Sequence, residues 1–183
     1  MVVPGEPVQR SVIVLLIAVL ALGAWLRLDR LTEVPPSLYS DEASVGYDAW
    51  SIASYGKDQW GNTMPLAFKS FGDYKSPVDV YTIALSIKLL GYSDLAIRLP
   101  SAILGILNLA LLFFLARLLL RSDWLALASS GLLAISPWHV QFSRVAWQTN
   151  YSLFFFLLGL IAFLYGVRGR SWMLIVAAVL FGV

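Results

Sequence analysis

Asp41 and Glu42 are adjacent acids, and Asp73 and Lys75 stand two residues apart further along the chain. Paired carboxylates can share general acid–base work, one taking a proton while the other orients it, or they can bind a divalent cation. Asp41, Glu42 and Asp73 are therefore candidate catalytic residues, with Asp41 and Glu42 also a candidate metal pair. The plainer reading of Asp41 and Glu42 is two acids in the first turn of a helix, where the macrodipole favours negative charge. The run Gly72-Asp73-Tyr74-Lys75-Ser76-Pro77 reads as a turn that presents Asp73 and Lys75. A lysine at headgroup depth suits a lipid-linked phosphate. A lysine that only snorkels to water looks the same in sequence.

A second group is Arg98, His139, Arg144 and Asn150. Arg98 opens Arg98-Leu99-Pro100-Ser101 at the head of an apolar run, where it can meet a headgroup or phosphate. Pro100 is expected in the first turn of that helix, and Ser101 with Gly105 reads as a small-residue packing pair. His139 and Arg144 lie in a polar, aromatic connection that starts at Ser136-Pro137-Trp138-His139. Arg144 has no acidic neighbour there, which makes it a candidate for an anionic ligand. His139 by itself reads more simply as a hydrogen-bonded side chain than as a ligand. Asn150-Tyr151-Ser152 fits a glycosylation acceptor pattern, but it abuts an apolar run.

Composition removes several chemistries. The 183 residues include no cysteine and one histidine, so thiol catalysis, cysteine-ligated metal and a histidine-rich metal site have no residues to build them. No G-x-G-x-x-G is present. Gly56-Lys57 fails the P-loop pattern because Ser51 and Asp58 stand where Gly and Ser/Thr are required. Nothing points to nucleic acid.

These residues must be positioned by membrane helices. Hydrophobic residues make up 59% of the chain and charged residues 13%, against about 25% charged in a soluble domain. Apolar, almost charge-free runs at about 11–28, 99–120, 122–138 and 151–167 read as spans, with the start of another at 171. That last run reaches only residue 183, short of the roughly 20 residues a span needs, so the chain is expected to be the N-terminal part of a longer protein. The stretch 78–90 is short and carries Asp79 and Lys88, which predicts an interfacial or re-entrant segment. Arg10, Arg117 with Arg121, and Arg168 with Arg170 flank the spans on one side if 78–90 does not cross. The positive-inside rule then puts residues 29–98 outside the cytoplasm.

That long loop is rich in aromatics, including Tyr39, Tyr47, Trp50, Tyr55, Trp60, Phe68, Phe71, Tyr74 and Tyr81, unlike a disordered linker. Within it Ser40–Tyr55 predicts a helix, begun by Ser40 and ended at Gly56, with Ala43, Gly46, Tyr47, Trp50 and Ala53 as its apolar face. The fold class expected is all-α: a polytopic transmembrane helical bundle with a long extracytoplasmic loop carrying interfacial helices.

The order of these motifs resembles the N-terminal part of the membrane glycosyltransferases of the GT-C fold, in the protein mannosyltransferase and aminoarabinose transferase group. The motifs are Asp41-Glu42 after the first span, Tyr74-Lys75-Ser76-Pro77, Arg98-Leu99-Pro100-Ser101, and Ser136-Pro137-Trp138-His139 with Arg144. The resemblance runs from about residue 10 to 170. It implies a polyprenyl-phosphate-linked sugar donor, a membrane setting, and transfer to a protein, lipid or glycan acceptor on the non-cytoplasmic face. It implies that Asp41 is the catalytic acid and that Lys75 matches the lysine of a Lys-Pro-Pro-like motif, with Ser76 in place of the first proline. Many members carry an acid where this chain has Asn150. Lys75, Arg98, His139, Arg144 and Asn150 are the expected substrate- and phosphate-binding residues. A transporter fragment and a non-catalytic membrane scaffold are the competing readings; nearly charge-free spans with polar loops favour an interfacial enzyme.

Overall fold

The computed structural model describes residues 7–70 and 72–182. Phe71 and Val183, which the sequence reading used, lie outside the described residues. Eight helices and one two-stranded hairpin occur among them: α1 Arg10–Leu28, α2 Ser40–Tyr55, β1 Phe68–Lys69, β2 Tyr74–Lys75, α3 Pro77–Leu90, α4 Asp94–Leu120, α5 Asp123–Ile135, α6 Pro137–Ser143, α7 Gln148–Val167 and α8 Trp172–Phe181. This is an all-α membrane bundle, as the hydropathy implies.

Three helices, α1, α4 and α7, are long and apolar enough to cross a membrane. The central one, α4, has 27 residues, about 40 Å at 1.5 Å per residue. It begins at Asp94, not at 99, because Ser93 caps it by accepting from the Ala96 N–H at 3.2 Å. Pro100 therefore lies inside the helix, not in its first turn as expected. The run expected at 122–138 is also different. Helix α5 stops at Ile135, with Ser136 extended and Pro137 opening the separate helix α6. Proline has no N–H to continue a helix and clashes with the preceding turn. At 13 residues α5 is about 20 Å long, shorter than the roughly 30 Å hydrocarbon core. Helix α3 has 14 residues, about 21 Å.

Polar contacts gather four helix ends at one end of the bundle. The Gln9 N–H, just before α1, donates to Asp123 at 3.1 Å, and Arg117 near the end of α4 pairs with Asp123 at 2.6 Å. Arg168, after α7, donates to the Leu118 carbonyl at 3.1 Å. The basic clusters read from sequence thus share one end. Asp41, Lys75 and Arg98 sit at the other, since Arg98 precedes Arg117 by 19 positions of one helix, about 28 Å.

The core at that far end joins α2, α3 and the head of α4 through Val45, Ala49, Ile52, Phe68, Val80, Ile83, Ile87 and Ile97. The face that α2 buries differs from the expected one. Val45, Gly46, Ala49 and Ile52 are buried, while Ala43 and Tyr47 are exposed and Trp50 and Ala53 pack only at the margin. Tyrosine and tryptophan score as apolar in a pattern, but their polar tips suit a wet margin. The helix ends as expected at Gly56, whose φ of 69° lies in the left-handed region. Gly105 allows a tight crossing of α4 with α6: a Cβ there would collide with Ser143.

Candidate active site

The segment between α1 and α2 forms no helix or strand, so its carbonyls need other partners. Two arginines supply them. Arg98, fully buried, uses all five of its N–H donors. It donates to Glu42 Oε1 at 3.1 Å and Oε2 at 3.2 Å, and to the carbonyls of Leu31 (3.0 Å), Pro35 (2.9 Å) and Ser37 (2.6 Å). Arg144 donates to the carbonyls of Val34 (3.1 Å), Leu26 (2.7 Å) and Asp29 (2.6 Å), with Arg30 also within reach. Together they fasten residues 26–37 and so fix where α2 begins.

Glu42 belongs to the same fastening. Its carboxylate is buried, and besides Arg98 it accepts from the Ala146 N–H at 2.9 Å and the Tyr39 N–H at 3.1 Å. Helix α2 is thereby tied to α4 and to the loop that carries Trp147 and Gln148. In the structure the donors of Arg98 and both carboxylate oxygens of Glu42 are spent inside the protein, and Arg144 is bonded to backbone carbonyls. The adjacent acids have different partners, Asp41 pairing with Lys75 and Glu42 with Arg98. Among the described residues, no group of three or more His, Asp or Glu side chains is placed to hold a metal ion.

Asn150 and the Nδ1 side of His139 also have partners inside the protein, while His139 Nε2 has none among the described residues. His139 Nδ1 lies 2.6 Å from the Arg27 guanidinium, accepting its proton. Burial, with Arg27 beside it, lowers the imidazole pKa to about 4, so the ring is neutral. Asn150 Nδ2 donates to the Ser101 carbonyl at 2.6 Å, and its Oδ1 accepts from Asn108 at 3.0 Å, which ties α7 to α4. Neither faces the cavity described next. Arg27 escaped the sequence reading because it sits inside an apolar run; it is fully buried and donates to the carbonyls of Gly23 and Ala134 at 2.9 and 3.2 Å.

What the frame leaves open is a cavity of about 190 Å³ lined by Asp41, Val45, Asp73, Lys75, Asp79, Ala146, Trp147, Gln148 and Thr149. Lys75 stands at its centre. The antiparallel pairing of Phe68 with Lys75 and Lys69 with Tyr74 sets its direction. The turn between the strands is closed by the Ser70 N–H donating to the Asp73 carbonyl at 2.9 Å. Phe68 stacks on Tyr81 of α3, with ring centroids 5.5 Å apart. Lys75 Nζ is 3.2 Å from Asp41 Oδ1 and 3.6 Å from Asp73 Oδ2, and its side chain is 11% exposed. Asp41 and Asp73 are about half exposed, at 50% and 56%. The ammonium has three donors, and only Asp41 is within hydrogen-bonding distance, so it retains capacity for another oxygen ligand.

Asp79 also lines this cavity, though the sequence reading treated it only as a charge that shortens an apolar run. It is 1% exposed, and burial pushes its carboxyl pKa up to about 6 despite the nearby Lys75. A second, apolar cavity of about 400 Å³ lies along α3 and α4, lined by Thr82, Leu85, Leu89, Leu99, Ile103 and Tyr151 among others. The Thr82 and Tyr151 hydroxyls, 3.0 Å apart, stand at its polar edge.

Compared with known proteins, no curated protein and no solved structure matches the chain. The family model for dolichyl-phosphate-mannose-protein mannosyltransferases matches residues 74–183, which include Lys75 and Asp79 of the cavity and Arg98 and Arg144 of the frame. The chain, an all-α membrane bundle, belongs to this mannosyltransferase family.

Proposed function

We propose that the chain transfers a sugar from a polyprenyl-phosphate-linked donor to an acceptor hydroxyl on the non-cytoplasmic face of the membrane. Asp41 would act as the base and Lys75 as the phosphate ligand. The observation that carries this reading is the Lys75 ammonium, 3.2 Å from Asp41 and open to a cavity at a membrane-helix end. A lysine ammonium is a compact point charge with three rotatable donors, which suits a phosphate monoanion. The apolar cavity along α3 and α4 offers the polyprenyl chain a path while its head group reacts. The arginine clusters at the opposite end of the bundle favour a non-cytoplasmic cavity.

The step balances as follows. Asp41 takes the proton of the acceptor hydroxyl, and the acceptor oxygen bonds to the anomeric carbon. The anomeric carbon–oxygen bond breaks, and its electron pair leaves on the polyprenyl phosphate, whose charge Lys75 offsets. The half-exposed Asp41 then returns its proton to water. Asp73, on the far side of Lys75, holds the ammonium in place and can take over as base only if Asp41 is dispensable. The acceptor is a hydroxyl of a protein, lipid or glycan.

The test is Asp41→Asn in the full-length enzyme, assayed with polyprenyl-phosphate sugars and normalised to its membrane level. Asparagine keeps size and removes basicity, so a loss of roughly 10²–10⁴ in rate is expected. Retention of more than about a tenth of the rate overturns the assignment and moves the role to Asp73.

A further inference from the structure

A buried carboxylate is unfavourable unless hydrogen bonds or a cation compensate it. Asp79 is only partly compensated. Its Oδ1 accepts from the Val80 N–H at 3.0 Å, while Oδ2 has no partner among the described residues. The ammonium of Lys75 is directed to Asp41 and Asp73 instead. Glu42, another fully buried acid at this end, accepts from four donor groups on its two oxygens, so the fold readily satisfies a carboxylate where it needs one. A first-turn acid that served only the helix dipole of α3 could stay half-buried, as Asp94 does at the head of α4. Asp79 instead lies on the wall shared by α3 and the cavity.

We propose that Asp79 is a specificity-determining residue whose free carboxylate oxygen accepts a hydrogen bond from one hydroxyl of the sugar being transferred. This rests on the sugar-transfer reading above. The chemistry narrows the ligand. Asp79 makes no ion pair with Lys75, whose ammonium would neutralise it beside a phosphate, so its free oxygen calls for a neutral hydrogen-bond donor. A sugar hydroxyl is the donor that a lipid-phosphate sugar brings within a few ångströms of its phosphate. A cavity of about 190 Å³ has room for a single sugar ring. Gln148 and Thr149 at its rim offer further polar contacts to the same ring.

A buried acceptor whose partner is removed loses more than it would in water, so a donor lacking the matched hydroxyl is rejected. The probe is polyprenyl-phosphate mannose with its monodeoxy analogues, given to the full-length enzyme and read as kcat/KM. Wild type is expected to disfavour one analogue by roughly 10- to 100-fold. Asp79→Ala is expected to slow the parent donor and leave that analogue nearly unchanged, so that the ratio collapses. Asp79→Asn keeps the shape and a single acceptor oxygen, and its ratio should fall between the two. Equal slowing of every donor by Asp79→Ala, or a wild-type ratio in Asp79→Asn, overturns the proposal and leaves Asp79 a structural acid. Wild type that is active but treats all analogues alike also overturns it. Wild type inactive with every polyprenyl-phosphate sugar refutes the underlying reading instead.

Discussion

Two sets of charges lie side by side at one end of this bundle, and they differ in how completely they are used. In the frame, Arg98 and Arg144 spend their donors on Glu42 and on the carbonyls of residues 26–37. In the cavity, Lys75 has a single hydrogen-bonded partner and Asp79 has an unpartnered oxygen. All of these are ionisable residues near a membrane-helix end, and their sequence contexts look alike. What separates a positioning charge from a reacting one is saturation. A saturated guanidinium cannot take a phosphate without releasing a carbonyl into a buried space, whereas an ammonium with free donors can.

The contrast is broken most directly at Arg98. Arg98→Ala leaves Glu42 buried without its counter-ion and frees three carbonyls, a loss of about 3–5 kcal/mol for a broken buried pair. The expected outcome is little folded protein in the membrane, read by detergent melting and yield. A well-folded Arg98→Ala enzyme with a raised KM for donor would instead return Arg98 to the phosphate. Lys75→Ala is expected to act the opposite way: normal yield and melting, with kcat/KM for the lipid-phosphate donor down by about 10²–10³. Lys75→Arg should recover only part of this, because a planar fork does not fit where a compact ammonium sat.

Asp79 sharpens the comparison through pH. Its folded pKa, about 6, lies above its ordinary value of 3.8. A raised carboxyl pKa contributes stability that is fully present below 3.8 and is lost as pH rises through about 6. Asp79→Asn, uncharged throughout, should therefore melt close to wild type near pH 3, below the ordinary value of 3.8, and above it near pH 7.5. The gain at the higher pH is on the order of 2–3 kcal/mol. Lys75, Tyr151 and the Val80 N–H surround the carboxyl and remain in both proteins. An equal melting difference at both pH values would mean that Asp79 is not held against its charge.

Much of the scaffold was legible in sequence because it depends on local signals. The apolar runs gave α1, α4 and α7, and Gly56 marked the end of α2. The span expected at 122–138 took in the flanks of a short apolar run to reach spanning length, whereas Pro137 stops the backbone after Ile135. The site was legible in its cations and acids but not in their division of labour. Asp41 and Lys75 meet across 34 positions, a pairing with no local signature. The carbonyl partners of Arg98 and Arg144 were not legible, because every residue carries a carbonyl and no sequence pattern marks the ones that are used. Asp79 was overlooked because a single acid in a short apolar run reads as an interruption. The available signal was its spacing: four positions past Lys75 and just inside a helix opened by Pro77.

The smallest expected effect is at Asn150, and it separates the two sets at their boundary. Asn150 was expected to touch substrate, since the resembled family often carries an acid at this position. In the structure it opens α7, yet its amide turns inward to Ser101 and Asn108 of α4. Its neighbours Gln148 and Thr149, the two residues immediately before it, are the ones that line the cavity. Polar contacts between membrane helices are worth on average about 0.6 kcal/mol and at most about 1.7. Asn150→Ala removes the links to both Ser101 and Asn108, so a loss near the upper figure is expected, visible as a modest fall in melting temperature. Because α7 also carries Gln148, a slight loosening of the cavity wall follows, and kcat should fall less than about threefold with KM for the donor unchanged. A phosphate ligand would give the reverse, an unchanged melting temperature with a raised KM. Asn150→Asp tests the same point by sign. It keeps the acceptor for Asn108 but sets a carboxylate against the Ser101 carbonyl, so it should melt below Asn150→Ala if the residue is part of the frame. If Asn150 instead met the donor phosphate, the added charge would show first in KM.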